Sequence, residues 1–100
     1  MAHEQLHEEK NAMSRETRNM HRAIISLIEE MEAVDWYNQR ADACDDEELR
    51  AILIHNRDEE KEHAAMLIEW IRRNDGAFSK ELKEYLFSQE DIAEQEKGKD

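Results

Sequence analysis

The segment Glu59-Glu60-Lys61-Glu62-His63 decides how this chain folds and what it can bind. Glu60 and His63 are three residues apart, so on a helix they share one face, with Cβ atoms about 5–6 Å apart. The same face is otherwise largely apolar and carries, in order, Leu53, Asn56, Glu60, His63, Leu67 and Trp70. A carboxylate in an apolar stripe is costly unless it is paired, protonated or bound to a metal. The neighbouring imidazole of His63 favours metal binding among these three options.

The composition describes one small and very acidic domain. The chain has 100 residues, 40% of them charged, no proline, and a formal net charge of −12. Such a charge repels phosphates, which argues against nucleic acid and anionic membrane surfaces as partners. A helical hairpin of this length has too little core to stand alone, so we expect its apolar faces to pack against other copies of the chain.

The sequence also suggests a compartment. Cys44 is the single cysteine and cannot form an intrachain disulfide, which fits a reducing cytoplasm. Residues 1–10 lack the apolar stretch of a secretory signal. No run approaches the roughly 18 apolar residues of a membrane span. We therefore expect a cytoplasmic protein with no membrane partner.

Hydrophobic periodicity predicts an all-α fold, an antiparallel two-helix hairpin followed by a short C-terminal helix. The first helix is expected over about residues 15–42 with Ser14 as its N-cap, and the second over about 47–73, with Gly76 just past its end. The third is expected over about 79–87 with Ser79 as its cap.

This hairpin domain spans residues 14–90 and is flanked by two polar segments. Residues 1–13 have no clear apolar face and are expected to form a flexible arm, in which His3 and His7 are interpreted as surface or tag-like residues. Residues 91–100 are polar and expected to be disordered.

Glu30 is a second carboxylate within an apolar stripe. Its helix face otherwise carries Ala23, Leu27, Val34 and Tyr37. With the turn centred between residues 44 and 45, Glu30 and Glu60 each lie about 14–15 residues from the turn, or about 21–23 Å along their helices. We therefore expect Glu30 to meet Glu60 and His63 across the hairpin.

One Glu and one Glu-x-x-His provide half of a ferritin-type di-iron site, which takes two of each. A symmetric dimer would supply the other half and bury the apolar stripes. The prediction is a ferritin-like four-helix bundle formed by dimerisation. Two alternatives stay open: an acidic helical oligomerisation or adaptor module without catalysis, in which Glu60 and His63 form a buried ion pair, and a di-metal sensor or oxygenase.

Several blocks of the sequence resemble the encapsulated ferritins. They fall within about residues 14–95 and read MHRAI (20–24), EEMEAVDWY (29–37), HNRDEEKEHAAM (55–66), EWIRR (69–73) and YLF (85–87). The resemblance implies two-helix subunits that dimerise and assemble into a ring of ten chains. It also implies a ferroxidase that oxidises Fe²⁺ to Fe³⁺ at a di-iron centre between two subunits.

The resemblance assigns roles by position. The family's iron ligands match Glu30, Glu60 and His63. Tyr37 matches a residue beside the centre. An outer region that attracts iron, and at which other divalent cations are expected, matches Glu29, Glu32 and Trp36.

The resemblance also implies a partner, the encapsulin shell protein. Members of the family are cargo of encapsulin nanocompartments, which store the mineral because an open ring has no cavity of its own. Cargo proteins of the family usually end in a short apolar and basic docking tail, whereas residues 94–100 are polar and acidic. Either truncation or a different mode of targeting accounts for this departure, so the expected location inside a nanocompartment rests on family membership.

Overall fold

In the computed structural model, which describes residues 6–98, the chain forms two long helices and two short ones. After a 3₁₀ turn at Lys10–Ala12 come α1 (Arg15–Ala43), α2 (Glu47–Asn74), α3 (Gly76–Tyr85) and α4 (Ile92–Lys97). No strand occurs among the described residues. The predicted all-α hairpin is confirmed, and both ends of α1 and α2 agree with the sequence expectation to within one residue. None of the helices within residues 6–98 has the length and apolarity to cross a membrane.

Side-chain caps fix where the two long helices begin. Ser14 Oγ accepts a hydrogen bond from Thr17 N at 3.1 Å, and the Asp46 carboxylate accepts one from Leu49 N at 2.8 Å. Each bond satisfies a backbone donor that has no partner within the helix. Only residues 44–46 separate α1 from α2, so the helices run antiparallel side by side.

The third helix begins earlier than the sequence suggested. Asp75 ends α2 and caps α3 by accepting a hydrogen bond from Phe78 N at 2.9 Å. Gly76 is therefore the first residue of α3 rather than the residue that terminates α2, and the assignment of Ser79 as the cap was wrong. The Asp75 carboxylate provides a cap four residues before Ser79, so the helix has already begun when the chain reaches Ser79. The helix ends at Tyr85 because Leu86 is extended, with φ −69° and ψ 137°, and Phe87 follows with a φ of 64°.

Arg72 joins α3 to the end of α2. Its guanidinium donates to both carboxylate oxygens of Glu69, at 2.7 and 2.8 Å, and to Ser79 Oγ at 3.2 Å. Arg73 adds a further bond to Glu69 at 2.6 Å. Paired hydrogen bonds between a guanidinium and a carboxylate constrain direction as well as distance, so this cluster fixes the bend between the two helices.

The two end segments of the described range, residues 6–98, differ in their secondary structure. Residues 6–13 are mostly exposed, and His3 lies outside the described residues. The C-terminal segment departs from the expected disorder, because Asp91 caps α4 by accepting from Glu94 N at 3.0 Å. Gln95 ties this helix back, donating to Glu84 O at 2.7 Å and accepting from Ser88 Oγ at 3.1 Å.

The hairpin buries very little. Among the described residues the buried apolar side chains are Ala23, Ala41, Ala64 and Ile71. Small residues between α1 and α2 let the helices approach closely, but they remove little apolar area from water. Large apolar side chains of the two helices remain exposed, namely Ile24, Met31, Trp36, Leu49, Ile52, Met66 and Trp70. The hairpin core alone is therefore small, as the composition suggested.

We predict that Glu69→Gln lowers the thermal midpoint at neutral pH and that the difference shrinks in acid. Arg72 and Arg73 lower the pKa of the Glu69 carboxyl to about 2. A carboxyl whose pKa is lowered by folding stabilises the protein fully above its unfolded pKa, and this stabilisation is lost as the pH falls towards the folded value. Thermal unfolding followed by circular dichroism between pH 6 and pH 3 measures the effect. It should be small, since the groups are partly exposed.

The matched control for this prediction is Glu90→Gln, which removes an equal charge from an exposed residue. It should leave the midpoint unchanged at every pH. A difference between Glu69→Gln and the parent that stays constant down to pH 3 would contradict the role assigned to this carboxylate.

Candidate metal centre

Three side chains from α1 and α2 meet partway along the hairpin. His63 Nδ1 lies 3.5 Å from Glu30 Oε2 and 3.5 Å from Glu60 Oε2. Glu30 belongs to α1, whereas the other two residues belong to α2, one helical turn apart. The structure therefore brings together Glu30, Glu60 and His63, which were expected to meet because they lie at similar distances from the turn. Their role as metal ligands stays a prediction.

The geometry of this group fits a single metal ion. Its one nitrogen and two carboxylate oxygens all lie within 4.8 Å of one another. Ligand atoms at about 2.0–2.2 Å from one ion, with coordination angles of about 90–110°, are separated by about 2.8–3.6 Å. The two 3.5 Å separations fall within this range. Oxygen and imidazole donors suit first-row divalent metals such as iron, manganese and zinc.

Glu30 retains its proton more strongly than an ordinary glutamate. The hydrogen bond with Glu60 raises the pKa of the Glu30 carboxyl, and partial burial and the negative charge of Glu60 add to the effect. Two adjacent carboxylates cannot both ionise cheaply, so the neighbouring carboxylate favours the protonated form of Glu30. A metal ion placed there would take over the role of that proton.

His63 is influenced by the same carboxylates. Partial desolvation by itself lowers the pKa of its imidazole, but the charges of Glu30 and Glu60 and their hydrogen bonds outweigh this and raise it. Metal binding requires the neutral imidazole and ionised carboxylates. Both raised pKa values therefore mean that protons compete with a cation at this site up to a higher pH than usual.

The group is open on the side of His63. The side chains of Glu30 and Glu60 are 26% and 25% exposed, whereas that of His63 is 45% exposed. Beside it lies an apolar depression of about 360 Å³, lined by His63, Met66, Leu67 and Trp70. The side chains thus leave coordination positions accessible from outside the hairpin.

A second group of potential ligands shares the same imidazole. Glu59 and Glu62 lie with His63 on the exposed surface of α2, with one ligand atom of each within 4.8 Å of the others. No role was assigned to these two glutamates from the sequence alone. The signal was present, because residues 59, 62 and 63 have the i, i+3 and i+4 spacing that places side chains on one face.

The remaining predicted site residues lie on α1 outside the first group. Tyr37 is half-buried, about 10 Å along the helix from Glu30, and the Arg40 guanidinium lies 5.4 Å from the centre of its ring. Glu29 is exposed and Glu32 is half-buried. Neither joins a group of three potential metal ligands within residues 6–98. Trp36 is also outside the group and is 48% exposed.

Known proteins carry the same sequence pattern. The EncFtn-like family model matches residues 5–89. An encapsulated ferritin-like protein of Rhodospirillum rubrum is 60% identical over 83 residues, which are 83% of this chain and 59% of the relative. A protein of Myxococcus xanthus named encapsulin nanocompartment cargo protein EncC is 40% identical over 60 residues, which are 60% of this chain and 46% of the relative. The chain thus spans about three fifths or less of the length of these two relatives.

The fold has a close counterpart among solved structures. A crystal structure of a Nitrosomonas europaea protein superimposes with a TM-score of 0.85 at 69% sequence identity, covering 88% of this chain and 97% of the other. The family match includes all three residues of the candidate metal centre. Because the family model covers most of the chain and the Rhodospirillum relative is 60% identical, this chain belongs to the EncFtn-like family of encapsulated ferritins.

Proposed function

We propose that this protein is a ferroxidase that oxidises Fe²⁺ to Fe³⁺ at a di-iron centre formed by Glu30, Glu60 and His63 of two subunits. One observation carries the proposal: in a chain of the encapsulated ferritin family, these side chains converge from two helices with His63 Nδ1 3.5 Å from each carboxylate. Iron is the substrate of this reaction.

The ligand count supports a site shared between two chains. A ferritin-like di-iron site takes a Glu from each of two helices and a Glu-x-x-His from each of two others. One hairpin supplies Glu30 on α1 and Glu60 with His63 on α2, which is half of that set. A two-fold axis beside His63 would bring the second half opposite the first and complete a four-helix bundle.

The exposed apolar surface supports the same dimer. The depression beside His63 is lined by Met66, Leu67 and Trp70 and has almost no polar lining besides the imidazole. Met66 is 65% exposed and Trp70 is 38% exposed in the single chain. Burying apolar area of this kind contributes roughly 25 cal/mol per Å², so the contact that completes the metal site would also stabilise the dimer. The ring of ten chains implied by the family resemblance would use a second contact.

Each side chain has a distinct task in the proposed reaction. The carboxylates of Glu30 and Glu60 would bind Fe²⁺, with a cation in place of any proton on Glu30, and would favour the harder Fe³⁺ after oxidation. His63 would bind iron through a neutral ring nitrogen. Tyr37 is proposed to lie beside the completed centre. Electrons leave to a dioxygen or peroxide acceptor, and Fe³⁺ leaves for mineral growth.

Glu29 and Glu32 are proposed to gather cations outside the centre, beside Trp36. They are three residues apart on α1 and so share a helix face. In a chain with a net charge of −12 such carboxylates raise the local concentration of divalent cations. Cations other than iron would bind there as well.

The proposed destination of the ferric product is an encapsulin nanocompartment in the cytoplasm. The Myxococcus relative is named as encapsulin nanocompartment cargo, and the Rhodospirillum relative is named encapsulated. These names support the encapsulin shell protein as a partner of this chain too.

We predict that Glu30→Ala, Glu60→Ala and His63→Ala each slow the aerobic oxidation of Fe²⁺ by at least about tenfold, because a centre that loses a ligand loses metal affinity or activity by at least that factor. Absorbance of the ferric product after Fe²⁺ is added to metal-free protein measures the rate. His55→Ala, on the same helix but outside the site, is the control and should keep the parental rate. Parental oxidation by the triple alanine variant would favour the adaptor alternative.

We predict that removing metal loosens the dimer. Treatment with a chelator should shift native mass towards smaller species, and Fe²⁺ should restore the larger ones, because bound metal stabilises only the state that contains the complete site. His63→Ala should fail to respond to added Fe²⁺. An oligomeric state that is insensitive to both chelator and metal would contradict a metal-bridged interface and is what the adaptor alternative expects.

We predict that Glu29→Ala and Glu32→Ala slow oxidation at low iron but not at saturating iron. Their proposed effect is on the local cation concentration and not on the reaction itself, so KM should rise while kcat stays within about twofold of the parent. Initial rates over a range of Fe²⁺ concentrations separate the two. Glu16→Ala, in the first turn of α1, is the charge-matched control. A fall in kcat with unchanged KM would place these residues in the centre instead.

A further inference from the structure

A cationic cavity lies at the opposite end of the hairpin from its turn. It has a volume of about 240 Å³ and is formed where the N-terminal arm meets the start of α1. The residues lining it are Leu6, Lys10, Arg18, His21 and Arg22. Its polar walls are thus basic side chains, and no carboxylate of residues 6–98 lines it.

The side chains around this cavity are positively charged, whereas the chain as a whole is negatively charged. The whole protein has a formal net charge of −12, whereas residues 6–22, which supply the lining, contain four basic residues and three acidic residues. This segment therefore forms a local positive region on an acidic molecule. An anion repelled by the rest of the surface would be attracted here.

Within residues 6–98, Lys10, Arg18 and Arg22 form no ion pair with a carboxylate. Within residues 6–98, the side chains of Lys10 and Arg18 make no ion pair or hydrogen bond, and the Arg22 guanidinium donates to Asn19 Oδ1 at 2.7 Å. Arg72, in contrast, is held by both oxygens of Glu69. Arg18 and Arg22 are four residues apart on one helix face, where like charges destabilise a helix. A bound anion would remove that repulsion.

We propose that this cavity binds a phosphate-type oxyanion, either inorganic phosphate or the phosphoryl group of a larger molecule. Guanidinium groups present paired donors that match oxyanion geometry, and the lysine ammonium adds a point charge. Arg18 is half-buried, which strengthens its attraction for an anion.

The size of the cavity favours an oxyanion over an acidic helix of another protein. A volume of about 240 Å³ corresponds to roughly eight water molecules at about 30 Å³ each. It therefore admits a tetrahedral oxyanion with some water. An acidic helix, about 10 Å across with its side chains, would not fit.

The inference is independent of the proposed ferroxidase reaction. Arg18 is twelve residues from Glu30 on α1, about 18 Å along the helix. Oxyanion binding requires no metal, so it can be tested on metal-free protein, and either proposal can fail without the other.

Isothermal titration of the full metal-free chain with inorganic phosphate tests the proposal, in a phosphate-free buffer at about 0.15 M NaCl, where weak surface attraction is screened. Saturable binding is expected. Arg18→Gln and Arg22→Gln should each weaken it by about tenfold or more, the usual loss when one charge-assisted contact is removed. Arg15→Gln removes an equal charge from the same helix without lining the cavity and should weaken binding by less than about twofold.

Two further arms keep the result decisive. Titration with a nucleoside diphosphate distinguishes a free anion from a phosphoryl group on a larger molecule, and binding of either that depends on Arg18 supports the site. Arg18→Lys retains the charge but not the paired donors, so it should fold normally and bind with intermediate affinity. The proposal is overturned if neither ligand binds saturably, if Arg15→Gln weakens binding as much as Arg18→Gln, or if an acidic peptide binds where both phosphates do not.

Discussion

The fold and its chemistry both depend on one arrangement, two carboxylates and an imidazole held together between α1 and α2. Glu60 raises the pKa of the Glu30 carboxyl, and the charges of both carboxylates raise the pKa of the His63 imidazole. Such a cluster is stable only when a positive charge sits within it, whether a proton or a metal ion. In the hairpin this cluster lies beside an apolar surface that is exposed in the single chain.

The hairpin that holds this cluster has a small hydrophobic core. Three of the four buried apolar residues within residues 6–98 are alanines, and several large apolar side chains of the long helices are exposed. Close helix packing brings Glu30 on α1 within reach of His63 on α2, but it leaves little buried area to stabilise the chain. The same feature that assembles the candidate metal centre therefore leaves apolar surface that a second copy of the chain would cover in the proposed dimer. Stability and function would then be gained in one association step.

Charge is distributed as unevenly as apolar surface. Acidic residues dominate the turn and the middle of the hairpin, where cations would be drawn towards the centre. Basic residues gather at the start of α1 and at the end of α2, but they are used differently. Arg72 and Arg73 are bound to Glu69 and hold the α2–α3 bend, whereas Arg18 and Arg22 face an open cavity.

The sequence by itself determined the long helices and the convergence of Glu30, Glu60 and His63. Helical periodicity, a cap at Ser14 and a short turn at residues 43–46 left one register for the hairpin, because rise per residue fixes height. The family also followed from sequence blocks. Tertiary structure decided the rest: Asp75 rather than Ser79 caps α3, and Gln95 holds α4 against the chain. Those outcomes depend on competition between nearby donors and acceptors, and only atomic distances resolve it.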